Sequence, residues 1–148
     1  MFLALTIGSV LVLVVTLVHY ETLRLASMLL PRLSIPPRQR ILFLIIAAFF
    51  AHTIEIWLYA IAYYLLHDHF GLGGFRGQFT NSFEDYLYFS SVTYTSLGYG
   101  DIYLTGSLRL VAGIETVTGL MMIAWSASFT YLGMEKFWDM HGSWRRKS

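Results

Sequence analysis

Three long apolar stretches constrain the fold of this chain more than any other feature. They run from about Phe2 to Val18, from Ile41 to Leu66 and from Ser107 to Tyr131. A helix needs roughly 20 mostly apolar residues to cross a bilayer, and each stretch reaches or approaches that length. Charged residues make up only 13% of the 148 residues, whereas soluble domains carry about a quarter. The sequence therefore predicts an all-α membrane protein with three transmembrane helices in a lipid bilayer.

The remaining composition argues against several classes of function. The net charge is +1 and cysteine is absent, so neither a broad basic surface for nucleic acid nor disulfide and thiolate chemistry is expected. The sequence contains no G-x-S-x-G, H-E-x-x-H or phosphate-loop motif, the usual signatures of hydrolases, metalloproteases and nucleotide-binding enzymes. We therefore expect no enzyme activity, no cofactor and no soluble substrate.

Arginine and lysine are distributed unequally among the segments that flank the spans. Residues 21–40 contain four arginines against one acid, and the tail 134–148 is also net basic. The segment between the second and third spans is mostly acidic. The positive-inside rule therefore places the basic loop 21–40 and the tail in the cytoplasm and the N-terminus outside, in the plasma membrane. The first stretch lacks the features of a cleaved signal peptide, so residues 1–20 are expected to remain as a span.

A short helix followed by glycines is predicted between the second and third spans. Asn81 or Ser82 suits the N-cap, and Glu84 and Asp85 would lie in the first turn, where the helix dipole favours acids. The pattern predicts a helix over residues 83–95, which is too short to span. Irregular backbone after such a helix is tolerated at membrane depth only inside protein or beside a watery cavity. We therefore expect this segment to re-enter the membrane from outside.

The run Thr95-Ser96-Leu97-Gly98-Tyr99-Gly100-Asp101 follows the predicted short helix. A dehydrated cation needs a close cage of oxygens, and backbone carbonyls supply one when successive residues turn them the same way. Alternate positions of such a strand require dihedral angles that glycine reaches easily. Gly98 and Gly100, separated by one residue, meet that requirement.

This run resembles the potassium channel signature T-V-G-Y-G-D. The resemblance covers the two-span pore module from about Ile41 to Tyr131, and it is greatest to short bacterial channels, here with an additional N-terminal span. It implies a homotetramer whose subunits each contribute an outer helix 41–66, a pore helix 83–95, a selectivity filter 96–100 and an inner helix 107–131. The implied K+ sites are at Ser96, Leu97, Gly98 and Tyr99, with Gly100 completing the filter and Thr95 and Asp101 supporting it.

Two residues depart from that signature. Ser96 stands where threonine is usual, and Leu97 stands where valine is usual. The number of backbone carbonyls is unchanged, so passive conduction of K+ is the main interpretation. A weakly selective monovalent cation channel and a non-conducting accessory channel subunit are the alternatives.

The predicted spans contain one notable glycine and three ionisable residues. Gly119 lies where the resemblance implies a gating hinge, although it equally suits close helix packing. His52, Glu55 and Glu115 lie within spans, where ionisable side chains are costly and usually functional or paired. We predict that they form one buried cluster between the second and third spans. That cluster would be either a structural hydrogen-bond network or a proton or metal switch, since histidine titrates near neutral pH.

Overall fold

Long helices dominate the computed structural model of the protein, which describes residues 1–138. Three helices are long and apolar enough to cross a membrane. They are α1 (Phe2–Leu29), α2 (Pro37–Asp68) and α4 (Leu108–Trp138). The predicted class, a helical membrane protein with three spans, is confirmed.

The first helix continues well beyond the apolar stretch that predicts it. The sequence predicts a span over residues 1–20 and a loop over 21–40, but α1 ends only at Leu29. An apolar stretch shows where lipid contact is expected to end, but a helix can continue beyond that point. Here it continues through Glu21 and Arg24, which form an ion pair one turn apart at 3.0 Å. A 3₁₀ turn and four residues then lead to Pro37 at the start of α2, a position that accepts proline. The predicted basic loop is therefore mostly helix.

The last helix also extends beyond the predicted bounds. The inner span is predicted to end at residue 131, but α4 continues to Trp138. The predicted tail 134–148 therefore begins inside a helix. Residues 139–148 lie outside the described part of the chain.

The connection between α2 and α4 contains a short helix and a small β-ribbon. Helix α3 (Phe83–Tyr94) begins at the predicted residue and ends one residue before the predicted end. Strand β1 (Phe75–Gly77) pairs antiparallel with β2 (Ile102–Leu104). This ribbon is missing from the all-α prediction, because three-residue strands are too short for an alternating pattern. Pairing of the two strands joins the chain before α3 to the chain after the residues that follow α3.

The start of α3 is capped as the sequence predicts. The Oγ of Ser82 accepts the backbone N–H of Asp85 at 3.3 Å. The carboxylate of Asp85 in turn accepts the backbone N–H and the hydroxyl of Thr80, at 2.6 and 2.7 Å. Partial burial acts to raise the pKa of Asp85, but hydrogen bonds from Thr80 and Ser82 outweigh it and lower that pKa. These contacts fix the point at which α3 begins.

The core is aromatic and lies where α3 packs against α2 and α4. Its largest fully buried side chains are those of Tyr59, Tyr63, Tyr86 and Tyr94. Helix α1 packs against α2 and α4 of its own chain, so the first span belongs to the same bundle. Within the bundle, α3 packs against α2 and α4.

Candidate functional site

The residues that follow α3 adopt an alternating backbone conformation. We call residues 95–101 the G-Y-G segment. Ser96, Gly98 and Gly100 have φ of 60°, 50° and 80°, so every second residue lies in the left-handed region. Glycine reaches that region without cost, whereas serine pays a steric penalty that is about 1–2 kcal/mol for a typical L-residue. The need for positive φ at Ser96 could not be read from the sequence.

Two hydrogen bonds attach this segment to the end of α3. The backbone N–H of Ser96 donates to the carbonyl of Thr93, and that of Gly98 donates to the carbonyl of Val92, both at 3.0 Å. Thr95 is the C-cap, and its hydroxyl donates to the carbonyl of Ser91 at 2.8 Å. The helix end therefore passes directly into the alternating backbone.

The G-Y-G segment lies on the surface of the single chain. Residues 95–100 are all exposed, and the side chains of Leu97 and Tyr99 belong to residues that are 56% and 68% exposed. A Cβ built on Gly98 or Gly100 would meet no atom within 4 Å. In the single chain the segment therefore has open space beside it.

Asp101 anchors the far end of the segment. Its carboxylate accepts the hydroxyl of Tyr88 on α3 at 2.8 Å, and its carbonyl accepts the backbone N–H of Gln78 at 2.9 Å. The hydrogen bond to Asp101 raises the pKa of Tyr88, so Tyr88 keeps its proton beyond the usual range. A Cβ at Gly77 would collide with the carbonyl of Asp101. Tyr88 and the β-ribbon together hold the segment at this end.

A first buried polar cluster joins α3 to both neighbouring spans. The hydroxyl of Ser90 donates to the carboxylate of Glu115 at 2.6 Å, and its oxygen lies 2.9 Å from the carbonyl oxygen of Ile56. Tyr63 on α2 donates to the other oxygen of Glu115 at 2.5 Å. Ser90, Tyr63 and Glu115 are fully buried. This Glu115 cluster connects α2, α3 and α4 at one point.

Replacing Ser90 with alanine should lower the free energy of unfolding by about 1–3 kcal/mol, since buried Glu115 loses a donor. Ser91 is the matched control, because its hydroxyl bonds to the carbonyl of Tyr88 within the same helix. Replacing Ser91 with alanine should change the free energy by less than about 0.5 kcal/mol. Unfolding by SDS in mixed micelles measures both values. Equal losses in the two variants would contradict this role of Ser90.

A second buried polar cluster surrounds Glu55. It includes His19, a residue that the sequence analysis missed. Glu55 on α2 contacts His19 of α1 at 2.8 Å and His52 at 3.3 Å. The hydroxyl of Tyr94, the last residue of α3, also donates to Glu55. Ser126 on α4 contacts the Nε2 of His19 at 3.2 Å. This Glu55 cluster therefore joins all four helices.

The predicted single cluster is thus divided in two. His52 and Glu55 lie together as predicted, but the hydrogen bonds of Glu115 are to Tyr63 and Ser90 instead. Two helical turns separate Glu55 from Tyr63 on the same face of α2, so the two carboxylates bind α3 at different heights. His19 escaped notice because it directly follows the uncharged run that was taken as the first span. The signal in the sequence is an ionisable side chain at the edge of an apolar stretch that is long enough to span a membrane.

Gly119 lies against the end of α3. A Cβ at this position would collide with the carbonyl oxygen of Tyr94 and approach its ring. Tyr94 is therefore held from one side by Glu55 and from the other by α4. The contact gives Gly119 a packing role, while a hinge at this residue stays a prediction.

Together these features define a class of protein. Two membrane spans enclose a short helix that ends in an exposed, alternating backbone loop, and two buried polar clusters hold that helix between them. Non-helical backbone at membrane depth is tolerated where it lines a water-filled path. This is the architecture of an ion-conducting pore.

The sequence profile of a family described as ion channels matches residues 41–133. The chain belongs to this ion channel family, whose members are normally not enzymes. The matched region includes α2, α3, the G-Y-G segment and most of α4, while α1 with His19 precedes it. No curated protein and no solved structure matches the chain.

Proposed function

We propose that the protein is a potassium-selective channel in which four copies of the chain surround one pore. The G-Y-G segment is the selectivity filter, and α2, α3 and α4 are the outer, pore and inner helices. The observation that carries the proposal is the alternation of left-handed residues at Ser96, Gly98 and Gly100 on an exposed surface. It lies between the two spans of an ion channel family.

Alternating backbone conformation suits the dehydration of a monovalent cation. When every second residue is left-handed, successive carbonyls can point to the same side, and a row of such oxygens replaces the water around K+. The K+ sites would be at Ser96, Leu97, Gly98 and Tyr99, with K+ as the permeant ligand. The C-terminus of α3 adds partial negative charge next to this row. Both features favour a cation over an anion.

One chain supplies only one row of oxygens, so the filter requires several copies. The exposure of Leu97 and Tyr99 in the single chain supports the same conclusion, since neighbouring chains would cover them. Four copies follow from the potassium channel resemblance of the sequence. In such a homotetramer the exposed face of α4 would line the inner pore, and Ile123, Ala127 and Ser128 are exposed there.

The distribution of charge supports one orientation in the membrane. The basic segments 21–40 and 134–148 would face the cytoplasm, which puts the N-terminus outside. The acidic start of α3, with Glu84 and Asp85 in its first turn, would then face the outer solution. We propose the plasma membrane as the location of the channel.

Reconstitution of the purified protein alone into liposomes tests the proposal. A K+ gradient with a voltage-sensitive dye should give rapid K+ flux, and replacing K+ by Na+ should reduce it at least about tenfold, a barrier difference of ~1.4 kcal/mol. Equal fluxes of K+ and Na+ would support a weakly selective cation channel, which the bulkier Leu97 favours. No flux of either ion would instead indicate an accessory subunit.

Replacing Tyr88 with phenylalanine should destabilise the conducting filter. The substitution removes the 2.8 Å hydrogen bond to Asp101, a charge-assisted contact worth about 1.5–3 kcal/mol. We expect a faster decay of K+ current during sustained recording in planar bilayers and a smaller K+ preference. The matched control is Tyr103→Phe, at an exposed tyrosine in β2. A decay unchanged by Tyr88→Phe would show that the contact does not stabilise the filter.

A further inference from the structure

Three side chains able to bind a metal meet between α1 and α2. One ligand atom from each of His19, His52 and Glu55 lies within 4.8 Å of the other two. The side chains of His19 and Glu55 are fully buried, and that of His52 is 20% exposed. Ionisable groups at this depth are costly and usually mark a site or a pair. None of the functions proposed above uses them.

The distances suit a small divalent ion. Ligands held ~2.0–2.1 Å from a tetrahedral zinc ion lie about 3.3 Å from one another. The Nδ1 of His19 is 2.8 Å from one oxygen of Glu55, and the Nδ1 of His52 is 3.3 Å from the other. Small side-chain movements would therefore place both nitrogens and one oxygen around a common centre. The hydroxyl of Tyr94 lies 2.9 Å from the Nδ1 of His52 and donates to Glu55, so it borders the three ligands.

The surroundings orient these ligands. A metal-binding histidine usually donates its second ring N–H to a neighbouring oxygen, which fixes the ring. The Nε2 of His19 has such a partner in the Oγ of Ser126 at 3.2 Å. Trp125 packs beside the ring of His19, with centroids 5.2 Å apart. His19 is therefore held with Nδ1 directed toward Glu55.

Part of this site borders a groove that is open at the surface of the single chain. A cavity of about 470 Å³ lies between α2 and α4, and its lining includes His52 and Ser126. Two members of the Glu55 cluster thus border open space, although the remaining lining is mostly apolar. The nitrogen partners of Glu55 are both histidines, whose neutral imidazole can bind a metal ion, unlike the charged side chains of arginine and lysine.

We propose that His19, His52 and Glu55 form a binding site for a divalent transition metal of the zinc type. Two imidazoles and one carboxylate are a ligand set that zinc, cobalt and nickel prefer. The ion would bind the Nδ1 lone pair of each neutral imidazole in the tautomer that carries its proton on Nε2. The site would tie α1, outside the family match, to α2 and to the end of α3, and so give the first span a role.

Titration with Co²⁺ tests this site directly. The full-length protein, freed of any affinity tag and stripped with chelator, is titrated while visible absorption is recorded. Wild type should bind one Co²⁺ per chain with the d–d bands of a four-coordinate ion, and Zn²⁺ should abolish them. Bound Zn²⁺ should also raise the melting temperature, because it binds the folded state.

The variants His19→Asn and His52→Asn keep an N–H donor near Nδ1 but remove the imidazole ligand. Each should weaken Co²⁺ binding more than about 100-fold, beyond the ~10–100-fold loss of an outer partner. Ser126→Ala should fall in that smaller range. His69→Asn is the matched control, because His69 is the exposed C-cap of α2 and contacts the ring of Tyr64. Folding is checked by elution volume and helical circular dichroism.

The proposal is overturned if wild type binds no Co²⁺ beyond the amount bound by the His19→Asn, His52→Asn double variant. It is equally overturned if the folded single variants bind as tightly as wild type. In either case the Glu55 cluster is a hydrogen-bond network that holds α1, α2 and α3 together. Neither result depends on conduction, so the test is independent of the proposed channel activity.

Discussion

Replacing Gly98 with alanine is expected to abolish K+ conduction while the protein still folds. Gly98 has φ of 50°, and an L-residue in that region costs about 1–2 kcal/mol, or roughly 4–8 kcal/mol over four subunits. Relief of this strain would turn carbonyls away from the pore axis. Because each ~1.4 kcal/mol is a factor of ten in rate, we expect K+ flux into liposomes to fall at least about 100-fold.

Gly71 provides a control that separates the effect of backbone strain from the effect of location in the G-Y-G segment. It has φ of +56°, and a Cβ there would also meet no atom within 4 Å. It lies just after α2, away from the G-Y-G segment. Replacing Gly71 with alanine should therefore cost similar stability but leave K+ flux within about twofold of wild type. Similar flux losses in both variants would mean that backbone strain, rather than the filter, explains the effect at Gly98.

Replacing Gly119 with alanine is expected to displace α4 from the end of α3. The added Cβ would collide with the carbonyl of Tyr94, and backbone cannot move aside as cheaply as the end of a side chain. Overpacking of this kind typically costs about 1–3 kcal/mol. We expect a lower free energy of unfolding and a large loss of K+ flux, since Tyr94 directly precedes the G-Y-G segment.

Gly113 is the matched control on the same helix. A Cβ at Gly113 would meet no atom within 4 Å, and alanine stabilises a helix by up to ~1 kcal/mol relative to glycine. Gly113→Ala should therefore keep or raise the melting temperature and preserve flux. A stable Gly119→Ala protein with altered opening would favour the hinge prediction over the packing role.

The sequence predicted the spans and the short helix well because their signals are local. Apolar stretches of sufficient length identified α1, α2 and α4, and Ser82 with Asp85 marked the start of α3. The ends of α1 and α4 were predicted too early, since polar residues such as Arg24 leave the lipid without ending a helix. The β-ribbon depends on pairing between Phe75–Gly77 and Ile102–Leu104, which neither strand encodes alone.

Only part of the candidate site was predicted, because some of its contacts join residues that are far apart in the sequence. Glycine reaches positive φ easily, so the residue type itself indicates the conformation of Gly98 and Gly100. The residue type of Ser96, which follows the end of α3, does not indicate its positive φ. The division of the acidic residues between two clusters depends on helix rotation and on a contact from α1. Such contacts join residues far apart in sequence, as His19 and Ser126 do at 3.2 Å. Periodicity within one helix carries no information about them.

The most direct test of the central claim is to locate the ions in the assembled protein. Crystals grown with Rb+ in place of K+ allow anomalous scattering to mark the bound cations. We expect a tetramer with a row of Rb+ peaks on its fourfold axis, between the backbone oxygens of residues 96–99, and weaker or altered occupancy in Na+. A particle that is not tetrameric, or an axis lined by residues other than 96–100, would contradict it.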